Sequence, residues 1–225
     1  FELPGLAHLD ELRGIPMLDF KSLTDGGIVM QKSFVNRISS VDDFMPATGT
    51  KKDGTVFTAR KPTEQEAEDL LFAWAVESGV TSNSVIFARN GATVAIGTGE
   101  QDRVGCAELA IHKAYTKHAD VLSFKRTGLS LYELQQKALS DADAAATLEE
   151  INRETRESKG GLIGSVVVSD GFFPFRDGVD VVMAQGVTAI AQPGGSIRDW
   201  EVVQACNEHE PQVAMVFTGQ RSFKH

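Results

Sequence analysis

Val166-Val167-Val168 runs directly into the loop Ser169-Asp170-Gly171-Phe172-Phe173-Pro174-Phe175-Arg176-Asp177, and the same order recurs where Val187-Thr188-Ala189-Ile190 leads into Gln192-Pro193-Gly194-Gly195-Ser196-Ile197-Arg198-Asp199. Each β-branched apolar run predicts a buried strand, and each loop precedes an amphipathic segment that predicts a helix. Both loops are therefore expected at the carboxyl ends of strands in an α/β fold. Open α/β sheets bind ligands at that edge.

The residue types in these two loops suit a ligand site. Three phenylalanines and a proline beside Arg176 can supply an apolar slot and a charge, and Pro193-Gly194-Gly195-Ser196 brings bare backbone close to a ligand. For any single residue the simpler interpretation is structural, since phenylalanines fill cores and glycines turn chains. Two such loops at matching positions favour a ligand site.

Length and composition predict one domain with a sizeable core and an acidic surface. The chain has 225 residues, of which 42% are hydrophobic, and its formal net charge is −9. This balance disfavours nucleic acid and anionic membranes as partners, because both attract basic surfaces. Cys106 and Cys206 have no CxxC spacing, so neither a zinc ribbon nor a disulfide framework is indicated. No apolar run reaches membrane-spanning length, and a cytoplasmic protein is expected.

The clearest helix signal starts at Thr63. Thr63 and Glu66 have the spacing of a capping box, in which each side chain accepts a hydrogen bond from the other residue's backbone N–H. Apolar residues then recur on one helix face, where they are expected to be buried: Ala67, Leu70, Leu71, Trp74 and Ala75. Gly79 is expected to end this helix.

The clearest turn signal is Asn90-Gly91. It separates alternating apolar runs at 84–88 and 92–96, which is typical of a β-hairpin. Helical spacing then extends from Arg103 to about Lys117. Because the preceding Gly97-Thr98-Gly99 lacks the third glycine of a dinucleotide-binding motif, we interpret it as a tight turn.

Two parts of the chain stand apart from this pattern. Residues 1–50 are interrupted by proline and glycine and are predicted to be an irregular wrap around the domain. Residues 121–160 predict one or two exposed helices, either a solvated decoration or a lid or subunit contact. Over 51–225, a helix and a hairpin are followed by alternating strands and helices, including a helix at 197–209 at whose start Ser196 and Asp199 have capping-box spacing. This order predicts a three-layer α/β/α sandwich.

Several motifs resemble a known enzyme family. They are Ser-Asn-Ser-Val-Ile-Phe-Ala-Arg at 82–89, Ile-Gly-Thr-Gly-Glu-Gln-Asp-Arg-Val at 96–104, the loops at 169–177 and 192–199, and the ending Phe-Thr-Gly-Gln-Arg-Ser-Phe-Lys-His. They closely resemble the carboxyl-terminal half of the transformylase domain in the bifunctional AICAR transformylase/IMP cyclohydrolase family. The resemblance covers 51–225 continuously except for 121–160, which an insertion would explain.

The resemblance implies a cytidine-deaminase-like fold and a formyl transfer in purine biosynthesis. The formyl group moves from 10-formyltetrahydrofolate to the amino group of AICAR, giving FAICAR. Deaminases of this fold hold zinc but the family does not, and the sequence agrees, because His112 is followed by lysine and no Pro-Cys-x-x-Cys motif occurs. Family sites form at a subunit interface, which implies a homodimer or a complex with a second transformylase/cyclohydrolase polypeptide.

The resemblance also implies roles for individual residues. Asn83 matches the asparagine beside the transferring formyl group, where an amide can orient the amine or the developing oxyanion. Arg221 matches the arginine that holds the AICAR phosphate. Structural alternatives are a turn cap for Asn83 and a surface ion pair for Arg221. The implied AICAR contacts are Phe172, Phe173 and Arg221, and the implied folate contacts are Pro174, Phe175, Gly194, Gly195 and Ser196.

The family also binds a potassium ion near the asparagine. Ser82, Ser84 and Asp170 fall on the positions of that ion site. Lys224 stands where some members have histidine, and its ammonium group could replace the ion. Both a potassium site and a metal-free site are therefore open.

The family's Lys-His pair, which transfers protons at the weakly nucleophilic amine, has no match in this sequence. Lys117-His118 and Lys224-His225 do not fit its motif. Three hypotheses follow: a transformylase subunit completed by another polypeptide or a second copy, a non-catalytic module that binds purine nucleotides or folate, and a scaffold that only oligomerises. The combination of Asn83, the two loops and Arg221 argues against a pure scaffold.

Overall fold

A mixed six-stranded sheet forms the centre of the computed structural model, which describes residues 18–223. The strands are β1 (Leu18–Ser22), β2 (Ile28–Lys32), β3 (Met45–Pro46), β4 (Thr48–Thr50), β5 (Val56–Thr58), β6 (Ser84–Arg89), β7 (Ala92–Thr98), β8 (Val166–Ser169), β9 (Ala189–Gln192) and β10 (Ala214–Phe217). The helices are α1 (Glu64–Glu77), α2 (Arg103–Thr127), α3 (Leu131–Ala138), α4 (Ala142–Glu157), α5 (Arg176–Met183) and α6 (Asp199–Glu208). The central sheet has the order β3-β10-β9-β8-β6-β7, with β8, β9 and β10 parallel and every other pairing antiparallel.

Helices cover both faces of this sheet, which confirms the predicted three-layer α/β/α sandwich. Along β6 the side chains alternate: Val85 and Phe87 pack in the cluster formed with α2, α5 and α6, whereas Ile86 and Ala88 pack in the cluster formed with α1. This alternation is the period of two that a strand buried on both faces requires. The finer cytidine-deaminase-like label stays a prediction.

The predicted capping box and hairpin are both confirmed. The Thr63 hydroxyl accepts from the Glu66 N–H at 3.3 Å, and the Glu66 carboxylate accepts from the Thr63 N–H at 2.7 Å. Asn90 and Gly91 join β6 to β7 with positive φ angles of 54° and 68°. The Asp69 carboxylate accepts from both of their N–H groups, at 2.9 and 2.7 Å, so α1 anchors the hairpin turn.

Two predictions about helices are wrong. The helix from Arg103 does not stop near Lys117 but continues to Thr127, and Gly128 ends it in the left-handed conformation with a φ of 73°. In α1, Ala75 is exposed and Glu77 is buried in its place.

Within the described part of the chain, no helix is both long enough and apolar enough to cross a membrane.

The described part of residues 1–50 is not irregular, contrary to the prediction. β1 and β2 form a hairpin, β3 extends the central sheet beside β10, and β4 pairs with β5. Between the hairpin and β3 the chain crosses α1, where Asn36 accepts from the Trp74 indole N–H at 2.8 Å and Ile38 is buried. This stretch therefore wraps the domain through specific contacts, while residues 1–17 lie outside the described residues.

The exposed helices predicted over 121–160 are confirmed as α3 and α4. They pack with the carboxyl-terminal part of α2 around a third apolar cluster of Ala119, Leu134, Ala144 and Ile151. The Arg126 guanidinium also forms ion pairs with Glu150 and Glu154 of α4. These helices therefore have a small core of their own, separate from the two clusters that cover the sheet.

Candidate functional site

The loops singled out in the sequence leave the same edge of the sheet. Because β8, β9 and β10 are parallel, the segments that follow them, 170–175, 193–198 and 218–223, start side by side. Ligands of open α/β sheets bind outside the carboxyl ends of the strands. The topology therefore brings the candidate loops to the edge at which a site is expected.

These loops line an open surface hollow of about 360 Å³, which we call the loop hollow. It is lined by Phe172, Pro174, Phe175, Gly195, Ser196, Ile197, Arg198 and Arg221. Of the residues predicted to contact AICAR or the folate, all except Phe173 and Gly194 are in this lining. The structure thus brings most of the predicted contacts together, and their binding of a ligand stays a prediction.

Phe173 and Gly194 do not line the loop hollow but pack in the protein interior beneath the two loops. Phe173 is fully buried in the core, and its N–H donates to the side-chain oxygen of Gln192 at 2.7 Å. A Cβ at Gly194 would lie 2.7 Å from the Phe217 ring, so glycine lets the loop backbone pack against that ring at a φ of 70°. Both residues are thus used in packing, and a direct contact of either one with a ligand stays a prediction.

Two arginines stack on the phenylalanines of the loop hollow. The guanidinium carbon of Arg221 lies 5.2 Å from the centre of the Phe172 ring, and that of Arg198 lies 4.9 Å from the Phe175 ring. Arg198 forms an ion pair with Glu201 at 3.4 Å, whereas Arg221 has no carboxylate partner among residues 18–223. A stacked guanidinium keeps its donors available at its edges. Arg221 is therefore suited to an anionic ligand group rather than to a surface ion pair.

Asp199 fixes the backbone of the second loop. One of its carboxylate oxygens accepts from the N–H groups of Gly195 at 2.7 Å and Ser196 at 3.1 Å. Burial raises the pKa of the Asp199 carboxyl, although these two hydrogen bonds oppose the shift. Only half of the predicted capping box between Ser196 and Asp199 forms: Asp199 accepts from the Ser196 N–H, but the Ser196 hydroxyl accepts from the Arg198 N–H, and α6 begins at Asp199.

A buried polar network surrounds Asp170 beside the loop hollow. Asp170 is fully buried, and its carboxylate accepts from the Ser82 hydroxyl, from the Ser84 N–H at 3.0 Å and from the Arg103 guanidinium. Arg103 also donates to the Ser84 carbonyl at 2.9 Å. The Ser84 hydroxyl lies 2.8 Å from both carboxylate oxygens of buried Glu77. Buried charges are tolerated when they are paired in this way.

This network orients Asn83. Arg103 donates to the Asn83 side-chain oxygen at 2.8 Å, and the Asn83 amide nitrogen donates to the Glu100 carbonyl at 2.8 Å. Both ends of the amide are therefore fixed. The amide nitrogen carries a second hydrogen that no hydrogen bond among the described residues uses, and Asn83 is only half-buried. That hydrogen is available to a ligand.

Sequence reasoning assigned no role to Arg103. The signal that could have found it is its place in the 96–104 motif, at the first position of a helix that packs on the sheet. Its partner Asp170 lies in another motif far along the chain, so the pair is visible only once the strands are assembled. Arg103 is best described as a positioning residue, since it acts through Asn83 and Asp170.

Gly171 connects the network with the loop hollow. A Cβ there would lie 2.5 Å from a guanidinium nitrogen of Arg103 and 2.9 Å from the Phe223 ring. Asp170 precedes Gly171 and Phe172 follows it, so the network and the hollow are adjacent along the backbone. Asn83 does not line the loop hollow. It does accept a hydrogen bond from Arg103, whose side chain packs against Gly171 next to the hollow.

The residues at the implied potassium positions come together around Asp170, next to the buried Glu77 carboxylate, and a potassium ion there stays a prediction. Both Asp170 oxygens and the Ser82 and Ser84 hydroxyls already have protein hydrogen-bond partners, and the Arg103 guanidinium adds positive charge beside them. Lys224, the alternative to the ion, lies outside the described residues. No step proposed below uses a cation.

Both cysteines are free and buried. Burial raises the pKa of the Cys106 and Cys206 thiols to about 12. Because the thiolate is the reactive form, neither residue is suited to nucleophilic catalysis. Cys106 instead donates from its sulfur to the Asn83 carbonyl at 3.2 Å. Among residues 18–223, no group of three or more histidines, cysteines and acidic residues is placed to hold a metal ion.

The chain is similar to proteins of known name. A family model described as AICARFT/IMPCHase bienzyme matches residues 8–113. The bifunctional purine biosynthesis protein PurH of Persephonella marina (strain DSM 14350 / EX-H1) is 45% identical over 170 residues, and that of Aquifex aeolicus (strain VF5) is 42% identical over 170 residues. Each alignment covers 76% of this chain and 25% of the relative. The matched part thus spans a quarter of the length of these curated relatives.

Proposed function

Because this chain belongs to the AICARFT/IMPCHase bienzyme family and corresponds to only part of a full-length member, we propose that it is the carboxyl-terminal portion of an AICAR transformylase. The reaction would transfer a formyl group from 10-formyltetrahydrofolate to the amino group of AICAR in purine biosynthesis. The supporting observation is the loop hollow, where two aromatic rings and an arginine without a carboxylate partner among the described residues adjoin, through Gly171, the Arg103–Asp170 network that orients Asn83.

We assign the nucleotide to the Phe172 and Arg221 side of the hollow. The Arg221 guanidinium, stacked on Phe172, would bind the AICAR phosphate by charge-assisted hydrogen bonds. Asn83 would meet the reacting end of the ligand, where its second amide hydrogen can bind the oxygen that gains charge as the formyl carbon is attacked. Arg103 would keep the amide turned for that bond.

We assign the folate ring to the Pro174, Phe175, Gly195 and Ser196 side. Phe175 is half exposed and offers a ring face to a flat pterin. The N–H groups of Gly195 and Ser196 already bind Asp199, so their contribution would be close backbone approach rather than donated hydrogen bonds. A hollow of about 360 Å³ lies at the small end of the ~300–1,000 Å³ range of ligand pockets. Two bound molecules would therefore need walls from further protein.

We propose that the remaining walls and the Lys-His pair come from other parts of the transformylase, in a second copy or another polypeptide. A positioned acid–base pair contributes ~10²–10⁴-fold to such reactions. The chain alone is therefore expected to bind AICAR without appreciable turnover, and turnover should appear when a polypeptide with the pair is added. Binding with no turnover under any such addition would favour the non-catalytic nucleotide- or folate-binding module. Dimer formation and a cytoplasmic location stay predictions.

Replacing Arg221 with alanine is expected to weaken AICAR binding about tenfold. A hydrogen bond to a charged group contributes ~1.5–3 kcal/mol, and the solvent exposure of Arg221 keeps its contribution near the lower end of that range. Isothermal titration calorimetry measures the change. Arg153→Ala, which removes an exposed arginine of α4, is the matched control and should leave affinity unchanged. Unchanged affinity in Arg221→Ala would remove Arg221 from the site.

A further inference from the structure

The Arg221 guanidinium lies over two phenylalanine rings, Phe172 and Phe223, which we call the ring pair. Its carbon is 5.2 Å from the centre of the Phe172 ring and 5.8 Å from that of the Phe223 ring. Both distances are within the ~6 Å at which aromatic rings attract cations. The two rings differ in one respect, because Phe172 lines the loop hollow and Phe223 does not. Any effect of Phe223 on a ligand there must therefore pass through another side chain.

The ring pair determines how the Arg221 side chain is oriented. Among residues 18–223, this side chain has no hydrogen bond and no ion pair besides its two ring contacts. A ring contact uses none of the five N–H donors of a guanidinium, so all of them stay available to a ligand. Arg221 is exposed, and an exposed arginine without such contacts samples many rotamers.

Hydrogen bonds on both sides of Arg221 fix the backbone from which its side chain extends. The Ser222 N–H donates to the Asp170 carbonyl at 2.9 Å, and the Gln220 side-chain oxygen accepts from the Arg37 N–H at 3.0 Å. The first bond ties the segment to the buried network, and the second ties it to the stretch that crosses α1. The backbone is therefore set by these anchors, and the direction of the guanidinium is left to the ring pair.

The Phe223 ring packs where Gly171 leaves room for it. A Cβ at Gly171 would lie 2.9 Å from the Phe223 ring, so glycine allows the ring to lie against the loop backbone. Phe223 is nevertheless 50% exposed and belongs to none of the apolar clusters that cover the sheet. Its replacement is therefore expected to leave the fold intact, since exposed positions contribute little to stability.

We propose that Phe223 is a positioning residue for phosphate binding, which orients the Arg221 guanidinium toward the loop hollow without contacting the nucleotide. This inference rests on the proposed function, in which Arg221 binds the AICAR phosphate. An arginine that is oriented before the ligand arrives loses less conformational freedom on binding. The aromatic ring matters here rather than its apolar volume, because the negative face of the ring attracts the cation.

The test measures the affinities of AICAR and of its riboside, which lacks the phosphate, by calorimetry on the full chain. Phe223→Leu removes the ring and should weaken AICAR binding about two- to fivefold, the size of one exposed cation–π contact, with riboside affinity unchanged. Phe223→Tyr keeps the ring and should bind AICAR as the unsubstituted chain does. Combined with Arg221→Ala, Phe223→Leu should have no further effect, because its partner is already absent. Phe124→Leu, at an exposed phenylalanine of α2, is the matched control.

The outcomes separate this inference from the proposed function. Equal weakening of AICAR and riboside in Phe223→Leu, no weakening at all, or a loss that persists beside Arg221→Ala would overturn the positioning role and leave the nucleotide site standing. A loss in Phe223→Tyr as large as that in Phe223→Leu would also overturn it, since the ring is still present. If the unsubstituted chain bound neither ligand, the nucleotide assignment itself would fail, and the positioning role with it. Should Phe223→Leu unfold the chain, Phe223→Met must show the same selective loss of AICAR affinity.

Discussion

Replacing Asp170 with alanine will destabilise the fold by about 3–5 kcal/mol, because removal of one partner from a buried ion pair leaves the other charge uncompensated. Asp170 is fully buried and binds Ser82, Ser84 and Arg103, so the substitution leaves the Arg103 guanidinium without its counter-charge. Arg103 has little access to water, since it too is buried. The free energy of unfolding, from urea titration followed by circular dichroism, measures the effect.

Two further variants show whether the ion pair is the cause. Asp42→Ala removes an exposed carboxylate and should change stability by less than about 0.5 kcal/mol. Arg103→Met combined with Asp170→Leu removes both charges, and it should recover part of the loss because apolar replacements of a whole buried pair are often nearly neutral. A loss below about 1 kcal/mol in Asp170→Ala would show that the network does not hold the loops together.

Replacing Asn83 with alanine will lower the formyl-transfer rate about a hundredfold, because loss of one oriented donor at a developing oxyanion costs ~10²–10³ in kcat. AICAR affinity should change by less than about threefold, since the lost bond strengthens only in the transition state. The rate is measured with the chain reconstituted with a polypeptide that supplies the Lys-His pair, and the affinity by calorimetry. Asn36→Ala is a matched control, because Asn36 binds Trp74 and does not line the loop hollow.

An equal effect of Asn83→Ala on rate and on binding would contradict a transition-state role. A fall in melting temperature comparable with that of Asp170→Ala would instead indicate that Asn83 is a structural part of the network. The geometry argues against this second outcome, since the Asn83 side chain accepts from Arg103 but does not bind Asp170. The two substitutions should thus separate stability from catalysis within one network.

Local signals in the sequence predicted the elements that are stabilised by contacts between residues close together in the chain. The Thr63 and Glu66 side chains bond each other's backbone, so their capping box needs no distant partner. Asn90-Gly91 likewise adopts the positive φ angles that the turn requires wherever the strands lie. The apolar run at 84–88 predicted a strand of this hairpin, and only the fold shows that Val85 and Phe87 are buried on one face of the sheet and Ile86 on the other.

The features that the sequence analysis predicted wrongly depend on contacts between distant parts of the chain. Helical periodicity favoured Ala75 over Glu77 for burial, but Ser84 provides Glu77 with a hydrogen-bond partner inside the fold. The length of α2 depends on Leu134 and Ile151, which cover its second half from later in the chain. β3 depends on edge pairing with β10 from near the end of the chain, whereas β1 and β2 pair only with each other across a short turn whose glycines we interpreted as an interruption.

The candidate site was likewise predicted only in part. Loop composition and family resemblance identified Phe172, Phe175, Ser196 and Arg221, which share the loop hollow. Phe173 has the same residue type as its neighbours, and only the packing places it in the core. The role of Arg103 is visible only in the folded structure, because its contacts with Asn83 and Asp170 join segments that are distant in the sequence.

A calorimetric titration of the full chain with AICAR, and with the riboside that lacks its phosphate, decides whether the loop hollow is a nucleotide site. We expect saturable binding of AICAR, binding of the riboside about tenfold weaker, and no difference between the two ligands for Arg221→Ala, since a bond to a charged group contributes ~1.5–3 kcal/mol. Equal affinity for the two ligands in the unsubstituted chain, or no saturable binding of AICAR, would show that Arg221 and the hollow around it do not bind the nucleotide.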